Sequence, residues 1–343
     1  MSDAHPAVPA WANLPDEELL NVRFCDLRLD IKQTPLEHCI QTLYQELEHR
    51  GISFRPVFYL GDEWFSPDGI PAISIPFYLA HPRLKQLEKK IMLEVEGDTE
   101  AECMKLLRHE TGHSLCHAFH LPRRRSWRKT FGSPSKEFKD FYHYQPYSRS
   151  FVRHLENCYA QSHPEEDFAE TFAVWLAPAH DWKQLYRGWP ALQKLEYVDR
   201  LMSELKHKQP VNPSRGQPYS IGSLRRRLRT HYDQRRKFYA EDDPALFDSD
   251  LRRIFTAGEE QPSGLPASRF LRQQRQSLLG VVPFWTRERK YTVNRLLKKL
   301  AARCDELKLR LPKDEHRTGL EITAYLTALV SNYLFTGKFK GRV

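Results

Sequence analysis

The spacing of apolar and polar residues divides the chain into helices with a few short strands among them. In 99–119, TEAECMKLLRHETGHSLCHAF, Met104, Leu106, Leu107, Leu115, Ala118 and Phe119 recur at roughly helical spacing, and Thr99 with Glu102 has the form of a capping box. One long helix is predicted there. Others are predicted over 36–49, ended by Arg50-Gly51, over 83–96 and over 189–208. A further helix begins near Ser162: Ser162 and Glu165 repeat the capping pattern, Pro164 sits in the first turn, and Phe168, Phe172, Trp175 and Leu176 form an apolar stripe. Alternation or β-rich composition predicts strands over 22–31, 56–60 and 72–79. Pro76 marks the last of these as an edge, either one that an extended peptide can join by strand addition or an ordinary edge that proline protects.

Between the elements, 121–157 is long, basic and aromatic. It reads as a packed and solvated surface loop, with contact to a substrate or an acidic partner as the alternative. Residues 210–218, rich in proline, serine and glycine, read as a linker. After it come two amphipathic basic helices, 223–240 and 287–310, and an apolar helix, 320–335, with loop at 258–266. The expected organisation is an N-terminal extension draped over the surface (1–20), a domain over 21–210 and a basic, mostly α-helical domain over 211–343.

Charge sharpens that division. The chain holds 53 Lys+Arg and 44 Asp+Glu; 27 and 14 of these fall in 211–343, a net of +13, against 26 and 30 in 1–210, a net of −4. Apolar content is 40% and no run approaches the length of a membrane-spanning helix, so a globular chain with no membrane segment is expected. Residues 1–20 lack the pattern of a secretory signal. Six scattered cysteines without a C-x-x-C pair point to reduced thiols and a cytoplasmic location.

The chemistry lies in the two patterned helices. His109-Glu110-Thr111-Gly112-His113 fits H-E-x-x-H. Residues four apart share a helix face, so both imidazoles can aim at one tetrahedral zinc with Glu110 beside the attacking water. Glycine in a helix interior costs about 1 kcal/mol, so Gly112 predicts a close approach of another backbone. His117, one turn past His113, reads as packed or solvated rather than as a competing ligand. Glu166 and Glu170, again four apart, offer two carboxylates. One can ligate the metal while the other accepts from the outer N–H of a ligand histidine. The acidic first turn also complements the helix dipole, which accounts for Glu165 and Asp167 better than for Glu170.

H-E-T-G-H followed by E-D-F-A-E-T-F resembles the gluzincin metallopeptidases, and the E-x-F-A-E arrangement is similar to that of lethal-factor-like enzymes. Residues 162–176 resemble more closely still a bacterial family described as zinc-binding metallopeptidases. The resemblance is specific over about 99–180. It implies an α+β fold with a zincin-like core, a small mixed sheet and active-site helices. It also implies one Zn²⁺ held by His109, His113 and Glu166, with Glu170 supporting a ligand and Glu110 as general base. A tyrosine seven residues before the ligand glutamate, which would stabilise the oxyanion, corresponds to Tyr159; Tyr142, Tyr144 and Tyr147 compete for that role.

The expected function is therefore zinc-dependent hydrolysis of peptide bonds in a peptide or protein substrate. Two other classes stand beside it. Arg225, Arg226, Arg227, Arg229, Arg235, Arg236 and Lys237 could neutralise nucleic-acid phosphates, alone or in a DNA-directed protease, but no nucleic-acid motif is legible and such faces also pair with acidic surface. A zinc-binding regulatory protein without turnover is the third. The sequence fixes no oligomeric state.

Overall fold

The computed structural model describes residues 9–337 and 339, apart from 140, 179–180, 239–243, 260–262 and 313. Residues 1–8 of the expected extension, 239–240 of the first basic helix and the side chain of Lys237 lie outside the described residues. The fold is α+β and rich in helix. It divides into two compact units: unit 1 comprises 1–91, 95–138 and 144–235, and unit 2 comprises 92–94, 139–143 and 236–343.

Unit 1 begins with α1 (Asp16–Leu19) and α2 (Pro35–His49), continues through strands β1 (Val57–Gly61) and β2 (Ala72–Pro76), and reaches α3 (Pro82–Met92). Then come α4 (Glu100–Phe119), α5 (Arg125–Phe131), α6 (Pro164–Leu176), α7 (Trp182–Leu185), α8 (Ala191–Leu205) and α9 (Leu228–Phe238), within which the division falls after Arg235. Among the described residues, the sheet of unit 1 has two strands, β1 and β2, paired parallel from Val57 with Ala72 to Gly61 with Pro76. Helices α2, α4, α6 and α8 pack around a core that includes Leu43, Leu107, Phe168, Phe172 and Leu195, all fully buried.

The structure corrects several expectations here. Residues 22–31 form no strand: Phe24–Asp26 is one turn of 3-10 helix, and Arg28 takes a left-handed backbone conformation, φ 48°. The alternation there instead buries Phe24 and Leu27, three apart, while Phe24 N–H donates to Arg226 O and Cys25 N–H to Leu224 O. The expected extension is not merely draped: Trp11 and Leu19 are buried, and the Trp11 indole donates to Leu27 O. Residues 121–157 contain α5, whose Trp127 is fully buried. Residues 211–235 group with unit 1 rather than with the C-terminal unit. Backbone hydrogen bonds secure them: Ile221 N–H donates to Leu60 O, Leu228 N–H to Val22 O and Arg229 N–H to Leu20 O. Strand β2 is flanked on both sides at Ser74, by Tyr59 of β1 and, antiparallel, by Phe65, so it is not an open edge there.

Unit 2 holds α10 (Asp248–Ile254), β3 (Thr256–Ala257), α11 (Ala267–Gln273), α12 (Arg275–Thr286), α13 (Lys290–Glu306), β4 (Leu309–Arg310) and α14 (Glu315–Thr336). Its core is apolar, built on Phe247, Phe270, Leu296, Leu300, Ile322 and Leu326. The pair β3–β4 is antiparallel and two residues long.

Candidate metal centre

Helix α4 starts where the capping box places it. Thr99 Oγ1 accepts from Glu102 N–H at 3.2 Å, and Glu102 Oε2 accepts from Thr99 N–H at 3.3 Å. Helix α6 starts differently from expectation. Its cap is His163, not Ser162: His163 Nδ1 accepts from Glu165 N–H at 3.2 Å, while Ser162 Oγ turns back to Tyr159 O. Pro164 still occupies the first turn, where a missing N–H costs nothing.

The two helices meet closely because Gly112 has no side chain. A Cβ there would stand 2.7 Å from Ala169 Cα and 3.2 Å from Ala169 Cβ, so any larger residue would push α4 off α6. This is the close backbone approach that a glycine inside a helix predicts.

Through this contact three donor atoms converge. His109 Nε2 lies 3.0 Å from Glu166 Oε2, His113 Nε2 lies 3.1 Å from the same oxygen, and the two Nε2 atoms are 3.1 Å apart. On the other side of the His109 ring, Nδ1 is 2.8 Å from Glu170 Oε1, and Glu170 Oε2 accepts from Leu155 N–H at 2.8 Å. Glu170 thus turns its carboxylate to the outer nitrogen of His109 and is itself fixed by backbone.

The chemistry of this donor set fits a metal ion. Nδ1–H donating to Glu170 leaves His109 Nε2 as a lone pair, and that lone pair faces a carboxylate oxygen and a second imidazole nitrogen. Three such atoms at these separations are drawn together by a metal ion, or, without one, by a proton on an imidazole nitrogen. Bonds of about 2.0–2.1 Å in tetrahedral geometry separate neighbouring ligand atoms by roughly 3.3 Å, close to the 3.0–3.1 Å found. Among the described residues, His109, His113 and Glu166 are the group able to hold a metal ion. Without a metal the same carboxylates keep a proton on His109: burial pushes the imidazole down, but the hydrogen bonds and charges of Glu166 and Glu170 outweigh it. Glu166 is held below the usual carboxylate range, burial opposing and the imidazoles of His113 and His109 prevailing.

The Glu110 side chain is buried on α4, one residue past His109. Burial raises its carboxyl above the ordinary range, against the lowering influence of His109 and His113. Tyr159, on the turn before α6, lies with its ring 5.7 Å from that of His109. Of its competitors, Tyr147 is 90% exposed and Tyr144 is partly buried, while Tyr142 belongs to unit 2. His117 is not in the cluster: its Nδ1 accepts from Gly69 N–H at 3.2 Å, and burial pushes its imidazole down to about 4. Sequence reasoning missed Leu155 and Asn212, which act through backbone or amide hydrogen bonds and carry no pattern of their own.

Residues 103–184 match the model of a family described as putative zinc-binding metallo-peptidase, the family that the motif residues resemble. The matched stretch holds His109, Glu110, His113, Tyr159, Glu166 and Glu170. No curated protein and no solved structure matches the chain. No helix among the described residues is long and apolar enough to cross a membrane.

Proposed function

We propose that the protein is a zinc-dependent peptidase of gluzincin type with a zincin-like core, using one Zn²⁺ held by His109, His113 and Glu166. The observation that carries this reading is the meeting of His109 Nε2, His113 Nε2 and Glu166 Oε2 within 3.0–3.1 Å of one another. When bound, zinc supplies Lewis acidity toward the attacking water and the scissile carbonyl.

The chain's own residues do the rest. Glu110 accepts a proton from the attacking water as its oxygen bonds to the carbonyl carbon. The same carboxyl delivers that proton to the amine nitrogen as the C–N bond breaks. Glu170 holds the His109 ring in one tautomer and one orientation. Tyr159 is the residue to donate its hydroxyl to the developing oxyanion, an interaction that matters mainly in the transition state.

Three of the seven basic residues that suggested nucleic acid are engaged in ion pairs, which weighs against that alternative. Arg226 pairs with Asp62, Arg229 with Glu17 at 2.8 Å and Arg235 with Glu88 at 2.8 Å, all within unit 1. The test is Glu110→Gln, an isosteric change that removes the base and none of the three ligands. Bound zinc, by elemental analysis, should equal that of the wild type, while hydrolysis of denatured casein falls by about 10²–10⁴-fold. Wild-type turnover in this variant removes Glu110 from the mechanism. Zinc without turnover in the wild type would favour the regulatory reading.

A further inference from the structure

Parallel strands need a crossover, usually of a dozen or more residues, yet β1 ends at Gly61 and β2 begins at Ala72. The short connection returns along the outer edge of β2. Ser74 N–H donates to Phe65 O at 2.9 Å in an antiparallel bridge, Ser74 Oγ donates to Glu63 O at 2.8 Å, and Ser66 Oγ donates to Ala72 O at 2.9 Å. The chain therefore pairs with the β2 edge in the orientation an added antiparallel strand would take.

The far end of this connection is tied to the helix that carries the candidate ligands. Gly69 N–H donates to His117 Nδ1 at 3.2 Å, and His117 lies one turn beyond His113 on the same face of α4. Asn212 Nδ2 donates to Gly69 O at 2.6 Å and lies 3.4 Å from His117 O, while Asn212 N–H donates to Ala118 O at 3.0 Å. One asparagine thus clamps the connection to the end of α4. Asp68, on the same turn, adds its charge near Glu165, the neighbour of Glu166. The His113 side chain, one turn before His117, is 13% exposed.

We infer that residues 62–69 form a self-strap that occupies the β2 edge beside the metal centre, and that Asn212 is its latch. What the strap excludes, an extended peptide, rests on the peptidase reading; the strap and its latch do not. A peptide can reach Ser74 only after Phe65 leaves it; freeing Gly69 from Asn212 and His117 eases that departure, which the hydrogen bonds of Glu63 and Ser66 and the Asp62–Arg226 pair still oppose. The latch consists of a few hydrogen bonds, so opening is reversible and within thermal reach.

The test is Asn212→Asp in the full-length chain, with Asn212→Ala beside it. The aspartate keeps the acceptor that Ser214 N–H uses and loses both donors to Gly69 and His117. Hydrogen exchange at the Gly69 and Ser74 amides should quicken together, by roughly tenfold for about 1.4 kcal/mol of lost latch. In metal-free protein, carbethoxylation of His113 by diethyl pyrocarbonate should quicken in parallel. Unchanged exchange at both amides in a folded variant overturns the latch. Faster exchange with His113 no more reactive overturns the strap as a cover. If both measurements rise and the zinc-loaded variant still cuts no casein, the strap stands and the peptidase reading falls.

Discussion

Helices α4 and α6 in unit 1 and helices α13 and α14 in unit 2 use burial in opposite ways. The contact between α4 and α6 encloses His109, Glu110, Glu166 and Glu170. The inner faces of α13 and α14 are mainly apolar, with Val293, Leu296, Leu297, Leu300, Ile322, Leu326, Leu329 and Val330 beside the uncharged Thr292, Asn294 and Thr318. A buried carboxylate costs several kcal/mol unless it is paired, whereas each buried leucine stabilises by about 1.5–3 kcal/mol. A helix pair that encloses three carboxylates and an imidazole beside its apolar core forms a candidate cation site at a cost in stability. The apolar pair holds its unit together by packing.

Substitutions can break that contrast or sharpen it. The largest effect is expected at the ligands. Glu166→Ala should lose stoichiometric zinc, while Glu170→Ala, which removes the acceptor of the outer nitrogen of His109 and of Leu155 N–H, should weaken binding by about 10–100-fold. Elemental analysis giving the reverse order would make Glu170 the ligand. Next comes packing. Leu300→Ala should destabilise unit 2 by about 2–5 kcal/mol in chemical denaturation and leave zinc binding unchanged. Gly112→Ala should cost about 1–3 kcal/mol by overpacking, partly offset by better helix propensity. Unlike Leu300→Ala it should also weaken zinc, because it spreads the helices that carry His113 and Glu166. Equal zinc affinity in the two variants would show that the centre does not depend on the α4–α6 approach.

The smallest effect is a pH dependence away from the centre. His231 is 2% exposed, packed edge-on to Phe24 and Phe77; burial first, then Arg235 and Arg226, push its imidazole down to about 3. The unfolded chain takes up a proton near pH 6.5 that the folded chain refuses until about pH 3. Stability from this group is therefore complete above pH 6.5 and declines as pH falls, by about 2 kcal/mol between pH 6.5 and 5. Denaturation of His231→Phe at pH 7 and pH 5 should show a correspondingly smaller drop than the wild type. An equal drop assigns the acid sensitivity to other groups.

How much of this the sequence revealed follows from how each feature is encoded. The capping box at Thr99, the four-residue spacings of His109 with His113 and of Glu166 with Glu170, and the meaning of Gly112 are local. Each can be read within a few residues. The placement of 22–31 and 211–235 is not local: Phe24 N–H finds Arg226 O across about two hundred residues, and nothing in either stretch names the other. Alternation in 22–31 therefore suggested a strand, where one 3-10 turn instead buries Phe24 and Leu27, which a strand would place on opposite faces. The proline- and glycine-rich stretch looked like a linker because its attachments, such as Asn212 to Gly69, run through backbone atoms that hydrophobic periodicity does not register. Likewise, Pro76 suggested an edge strand, open or protected by proline, because a single bridge at Phe65 leaves no pattern in the sequence.

The central claim is tested most directly by anomalous scattering from crystals of the full-length protein, measured on both sides of the zinc absorption edge. A single peak that appears above the edge, bonded to His109 Nε2, His113 Nε2 and a Glu166 carboxylate oxygen, is the predicted result. A zinc peak bonded to other side chains, or no peak among these three in protein shown to contain zinc, would contradict it.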